Sequence, residues 1–130
     1  MRKQKNQETI KLNHIYGILA HDISFEVFST KNRPKYMEEE NRGMTWKFDD
    51  KKNIGSIWYM DGDYEAFAHE CVHLAHHIIK LGLVKIPKYT KIQYEEKNLP
   101  FGKEETLCYI AGQVIEAAHR GHWLKYQKKI

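Results

Sequence analysis

The sequence predicts an α+β fold: a small, mainly antiparallel sheet packed against two long helices, in one domain covering residues 1–130. Three observations lead there. Apolar and aromatic residues crowd two short runs near the middle of the chain, split by the polar tetrad Asp50-Lys51-Lys52-Asn53. Downstream, apolar residues recur at helical spacing from about Tyr64 to Leu81 and again from about Lys103 to Tyr126. The length of 130 residues allows one modest core and is short for two.

From the N-terminus, the residues between Asn13 and Ser29 mix β-branched and aromatic side chains (Ile15, Tyr16, Ile18, Ile23, Phe25, Val27, Phe28) around His21-Asp22, which suggests two short strands or one bent one. Pro34, followed by Lys35 to Arg42 and then Gly43, suits a short helix with proline in its first turn. Thr45 to Asp49 and Ile54 to Met60 read as a β-hairpin, with Trp58 and Tyr59 on opposite faces of its second strand. Asp63 offers an N-cap to the first long helix and Gly82 a C-terminal stop. Lys85 to Pro100 carries Pro87 and Pro100 and reads as a loop. Gly112 and Gly121 weaken the second helix.

Composition narrows the classes. With 42% hydrophobic and 29% charged residues the chain can bury a core, so disorder throughout is excluded. No run approaches the roughly eighteen apolar residues of a membrane span, and Met1 to Glu8 leads into no signal-like apolar segment, so a cytoplasmic protein without membrane partners is expected. Cys71 and Cys108 both fall on predicted helices, where a thiol packs as a small hydrophobe. The net charge is +4, with Arg2, Lys3, Lys5 and Lys11 near one end and Arg120, Lys125, Lys128 and Lys129 near the other; this balance permits contact with nucleic acid without requiring it.

The chemistry concentrates in His69-Glu70-Cys71-Val72-His73, an HExxH pattern. Residues four apart project from one helix face, so two imidazoles there can share a Zn²⁺ ion with the first glutamate beside it. On a helical projection Phe67, Ala68, Cys71, Val72, Leu74, Ala75, Ile78, Ile79 and Leu81 form a broad apolar arc, while His69, His73, His76 and His77 crowd the other side. His69 and His73 are the expected metal ligands. His76 and His77 read as second-layer or surface residues.

A catalytic zinc site keeps three protein ligands and an open position, so a third must come from elsewhere. Glu105, Tyr109, Gly112 and Glu116 form a polar stripe on the second helix opposite Leu107, Ala111, Val114 and Ala118, with Gly112 able to admit a neighbouring element. Glu105 is favoured as third ligand, with Glu104 its competitor. His119 and His122 read as a basic helix end.

An aromatic hairpin (Trp46, Phe48, Trp58, Tyr59), a helix reading Ala68-His69-Glu70-Cys71-Val72-His73, a loop, and a Glu104-Glu105-x-x-x-Tyr109 helix together resemble small HExxH proteins of bacteriophages and prophages. More broadly they are similar to the gluzincin class of zinc metallopeptidases, over roughly Thr45 to Val114 of this chain. The resemblance implies a minimal zincin-like fold, Zn²⁺ held by His69, His73 and Glu105, Glu70 as general base, and Tyr109 as donor to an oxyanion. It implies a peptide or protein substrate, added as a strand beside Ile54 to Met60, and the host cytoplasm as location. The chain is far shorter than most gluzincin peptidases.

Two other functions remain open on the sequence. One is a non-catalytic, zinc-stabilised protein acting through protein binding; its activity would survive loss of the Glu70 carboxylate. The other is a basic nucleic-acid-binding module, whose affinity would fall steeply with salt.

Overall fold

The structure, a computed structural model, describes residues 6–13, 19–38, 40–84 and 103–127. Four strands form one sheet: β1 (Glu8–Leu12), β2 (Ile23–Thr30), β3 (Gly43–Lys47) and β4 (Gly55–Met60). Their order across the sheet is β1-β2-β4-β3. Two helices, α1 (Tyr64–Lys80) and α2 (Lys103–Ala118), pack on each other. Helix α1 also lies on β3 and β4, and α2 on β1.

The architecture is α+β as expected, but the sheet is mixed. β1 pairs antiparallel with β2, and β3 with β4, whereas the central β2–β4 pairing is parallel. The hairpin of β3 and β4 forms as read, with Thr45 opposite Ile57. β1 was not foreseen, although Ile10 and Leu12 alternate inward as a strand requires. The short helix expected after Pro34 is absent among the described residues there, which form turns; Arg42 lends its carbonyl to Met60 N–H and Gly43 already opens β3. Sheet pairing claims the last residues of that segment before a helix can end on them. The loop expected between Lys85 and Pro100, like residues 14–18, lies outside the described residues.

The core sits between the sheet and the helices. Strand alternation turns Phe25, Val27, Ile57 and Tyr59 toward α1, whose Phe67, Cys71, Leu74 and Ile78 meet them fully buried. At roughly 25 cal/mol per Å² of apolar area removed from water, each such side chain contributes about 1.5–3 kcal/mol. The cap of α1 is the predicted one: Asp63 accepts from Ala66 N–H at 3.0 Å. That carboxylate is also gripped by Arg42, with Nε at 2.6 Å from Oδ2, which holds it below the usual carboxylate range. Gly82, at φ +74°, turns the chain out of the helix as the sequence indicated.

The second helix departs from expectation at its end. Beyond Ala118 the chain continues as a π-helical segment, His119–Gln127, rather than as a regular helix to Tyr126. The buried positions of α2 are Thr106, Ile110, Val114 and Ala118, with Leu107 and Ala111 only partly covered. His122 extends that four-residue stripe and is fully buried, so it is no basic helix end. Cys71 is buried, but Cys108 is exposed, contrary to the packing expected of both, and the two are unbridged. Among the described residues no helix is long and apolar enough to cross a membrane.

Candidate metal centre

Helix α1 presents the HExxH residues on two sides. His69 and His73 are exposed, one turn apart, and their rings meet edge to face with Nε2 atoms 3.2 Å apart. Two nitrogens on a tetrahedral zinc at 2.0–2.1 Å stand about 3.3–3.4 Å from each other, so the pair is already at ligand separation. The same distance lets one ring donate to the other when a proton sits on Nε2.

Glu70 points elsewhere. It is 7% exposed, sits against the edge strand β3, and its Oε1 accepts from Thr45 Oγ1 at 2.8 Å. The same hydroxyl lies 3.1 Å from the Glu70 carbonyl. Gly43 makes room for this carboxylate: a Cβ there would stand 2.8 Å from Glu70 Cγ and 3.0 Å from Oε2. Thr45 therefore holds one oxygen, and the missing side chain at Gly43 leaves the other uncrowded. Glu70 and His69 both line a cleft of about 430 Å³ whose other walls include Glu40, Arg42, Gly43 and Glu65.

The remaining expected residues are spread along α2. Glu105 is half-buried, Glu104 is exposed, and Tyr109 is 41% exposed. Among the described residues, no group of three or more His, Cys, Asp or Glu side chains is placed to hold a metal ion. The structure brings the two candidate imidazoles together and, among the described residues, places no third candidate ligand with them. Gly112 was expected to admit a neighbouring element, yet nothing lies within 4 Å of where its Cβ would be. His76 is exposed, whereas His77 is no surface residue: it is buried, and its Nε2–H donates to the Phe48 carbonyl at 2.8 Å. That bond ties α1 to the end of β3.

The strand expected to receive a substrate is not available. β4 is paired on both edges, by β2 and by β3, so no further chain can add to it. Among the described residues, the open sheet edge beside Glu70 belongs to β3. Arg42 accepts from Met60 N–H of β4 and Phe48 N–H donates to the Ile54 carbonyl just before β4, so the alternating register turns the backbone N–H and C=O of Gly43, Thr45 and Lys47 outward. Sequence reasoning missed Gly43 and Thr45 because their roles depend on contacts with a residue 25 or more positions away.

A second polar centre was also missed. His122 Nε2–H donates to Asn6 Oδ1 at 3.3 Å, which leaves Nδ1 to accept from the Tyr59 hydroxyl at 2.7 Å. Nearby, Gln127 Nε2–H donates to Ser29 Oγ and Asp61 Oδ1, while its Oε1 accepts from Gly62 N–H. Burial pushes His122 down to about 4 and raises the Tyr59 phenol above its ordinary value. The four-residue repeat of Ile110, Val114, Ala118 and His122 is the sequence signal that could have found it.

Of the basic residues at the chain's far end, Arg120 is paired with Glu116 and Lys125 with Glu8. Compared with known proteins, the chain matches no family model, no curated protein and no solved structure.

Proposed function

We propose that this chain is a zinc-dependent hydrolase of peptide bonds. The observation that carries the reading is the pair of exposed imidazole nitrogens 3.2 Å apart on α1, with His69 sharing a cleft with the buried, oriented carboxylate of Glu70. His69 and His73 would hold the ion. Glu105 would be the third ligand, drawn from the first turn of a helix that packs on α1; it is more covered than Glu104, which supports it over its neighbour. When bound, Zn²⁺ supplies Lewis acidity, polarising a carbonyl and lowering the pKa of water toward neutrality.

The chain's own residues would do the rest. An extended substrate adds along the open edge of β3, hydrogen-bonded to the outward backbone groups of Thr45 and its neighbours. Thr45 fixes Glu70 through Oε1, so Oε2 is the atom that takes a proton from the attacking water and returns it to the leaving amine. Tyr109, a turn beyond Glu105, would donate to the oxyanion.

The test uses the zinc-loaded chain and a mixed library of unstructured peptides, read by mass spectrometry. The reading expects defined cleavage products that fall at least a hundredfold in Glu70→Gln, while zinc content is retained. Replacing Glu105 should lower zinc affinity at least tenfold, and replacing Glu104 should not. Absence of cleavage, or cleavage unchanged in Glu70→Gln, would overturn the enzymatic reading.

A further inference from the structure

The face of the sheet turned away from α1 carries a second surface of different character. Register alone places Glu26 and Phe28 of β2, Ser56 and Trp58 of β4, and Met44 and Trp46 of β3 on that face. Over part of it Glu26, Phe28, Tyr36, Trp46 and Phe48 enclose an open groove of about 410 Å³. Phe28, itself buried, and Trp46 are stacked, with 15° between their planes and centroids 6.2 Å apart. Tyr36 is 68% exposed and Phe48 38%, and both line this groove.

The charge in this groove has one sign. Among the described residues that line it, Glu26 is the sole ionisable side chain apart from the Tyr36 phenol, with no lysine, arginine or histidine. Among the described residues, the Glu26 carboxylate has neither an ion pair nor a hydrogen-bond partner. Aromatic faces attract cations, and a carboxylate beside them adds a directional acceptor. Aromatic rings with a carboxylate acceptor beside them suit a planar guanidinium, which stacks and forks at once, better than a compact ammonium.

We propose that this groove binds an arginine side chain of a partner polypeptide, stacked on the aromatic side chains that line it, Trp46 foremost, and paired with Glu26. The site lies on the opposite face of the sheet from His69 and Glu70, and the proposal is independent of any hydrolytic activity.

The experiment titrates the ¹⁵N-labelled full chain with the capped peptide acetyl-Gly-Arg-Gly-amide and follows the indole N–H signals. Trp46, assigned through Trp46→Phe, should shift saturably with a millimolar dissociation constant, while Trp123, packed among Tyr59, Tyr64 and Phe67 on the core side, should not move. The citrulline peptide, isosteric but uncharged, should bind at least tenfold more weakly, and Glu26→Gln should weaken the arginine peptide at least fivefold with an unchanged melting temperature. The proposal is overturned if no saturable shift occurs, if citrulline or lysine peptides bind as well, or if tetramethylammonium binds more tightly. It is likewise overturned if sedimentation shows a dimer that Trp46→Ala dissociates, since the occupant would then be a second copy of the chain.

Discussion

Histidine is used in two opposite ways in this molecule. His69 and His73 stand exposed on α1 with their Nε2 atoms facing each other, whereas His122 is sealed in the interior with both ring nitrogens engaged by Tyr59 and Asn6. An imidazole keeps its capacity to ligate only if a lone pair remains accessible. His122 has spent its lone pair on the Tyr59 hydroxyl, and so contributes to stability rather than chemistry. The exposed pair contributes little to the fold and retains its donors. The contrast separates a structural centre, which should govern unfolding, from a chemical one, which should govern metal binding.

The largest effect that would test this division is expected from His122→Ala. It removes a fully buried ring and strands the polar groups of Tyr59 and Asn6. A loss of about 3 kcal/mol is expected in urea unfolding, from cavity and unsatisfied hydrogen bonds together. A loss under about 1 kcal/mol would erase the distinction.

Acid should act through the same residue. His122 is held near 4 when folded, against about 6.5 for an ordinary histidine. The unfolded chain therefore binds the extra proton first as pH falls, and stability declines between about pH 6.5 and 4, then levels for this group. Its contribution is at most about 3 kcal/mol. Tyr59, Asp61, Glu8 and Lys125 face or surround the ring, so the slope assigned to His122 is the difference between wild type and His122→Phe. Parallel pH curves for the two proteins would contradict the assignment.

Gly43→Ala should cost less, about 1–2 kcal/mol by thermal or urea unfolding, because the new methyl meets a flexible Glu70 side chain as well as the Trp58 carbonyl at 3.1 Å. Its effect on Glu70 should exceed its effect on the fold: any peptide hydrolysis should fall at least tenfold. Smallest of all should be His69→Ala in metal-free protein, within about 0.5 kcal/mol of wild type, since an exposed helix histidine replaced by alanine disturbs no packing.

How much of this was legible in sequence follows the range of the interactions. Helix α1, its Asp63 cap and its Gly82 stop are set by neighbours within a few residues, and all three are where the pattern placed them. The β3–β4 hairpin is local in the same sense. The parallel β2–β4 pairing joins residues some 30 positions apart, and no local pattern encodes which neighbour a strand will choose. Arg42 and Gly43 were read as a helix end because their partners in β4 were not in view. In the site, the i, i+4 spacing brought His69 and His73 together as expected, while the orientation of Glu70 by Thr45 and Gly43 could be seen only once the sheet was folded. Helix phase was the weakest step. Taking Leu107 and Ala111 with Val114 and Ala118 as the apolar face of α2, where Thr106 and Ile110 are the buried positions beside Val114 and Ala118, hid the buried position of His122.

The central claim is that the two exposed imidazoles of α1 hold one divalent ion, and metal analysis of the untagged, full-length chain tests it most directly. One zinc per chain should be retained through dialysis against metal-free buffer, kept in Glu70→Gln and His122→Phe, and lost in His73→Ala. Zinc absent from the wild-type chain, or present equally in His73→Ala, would contradict it.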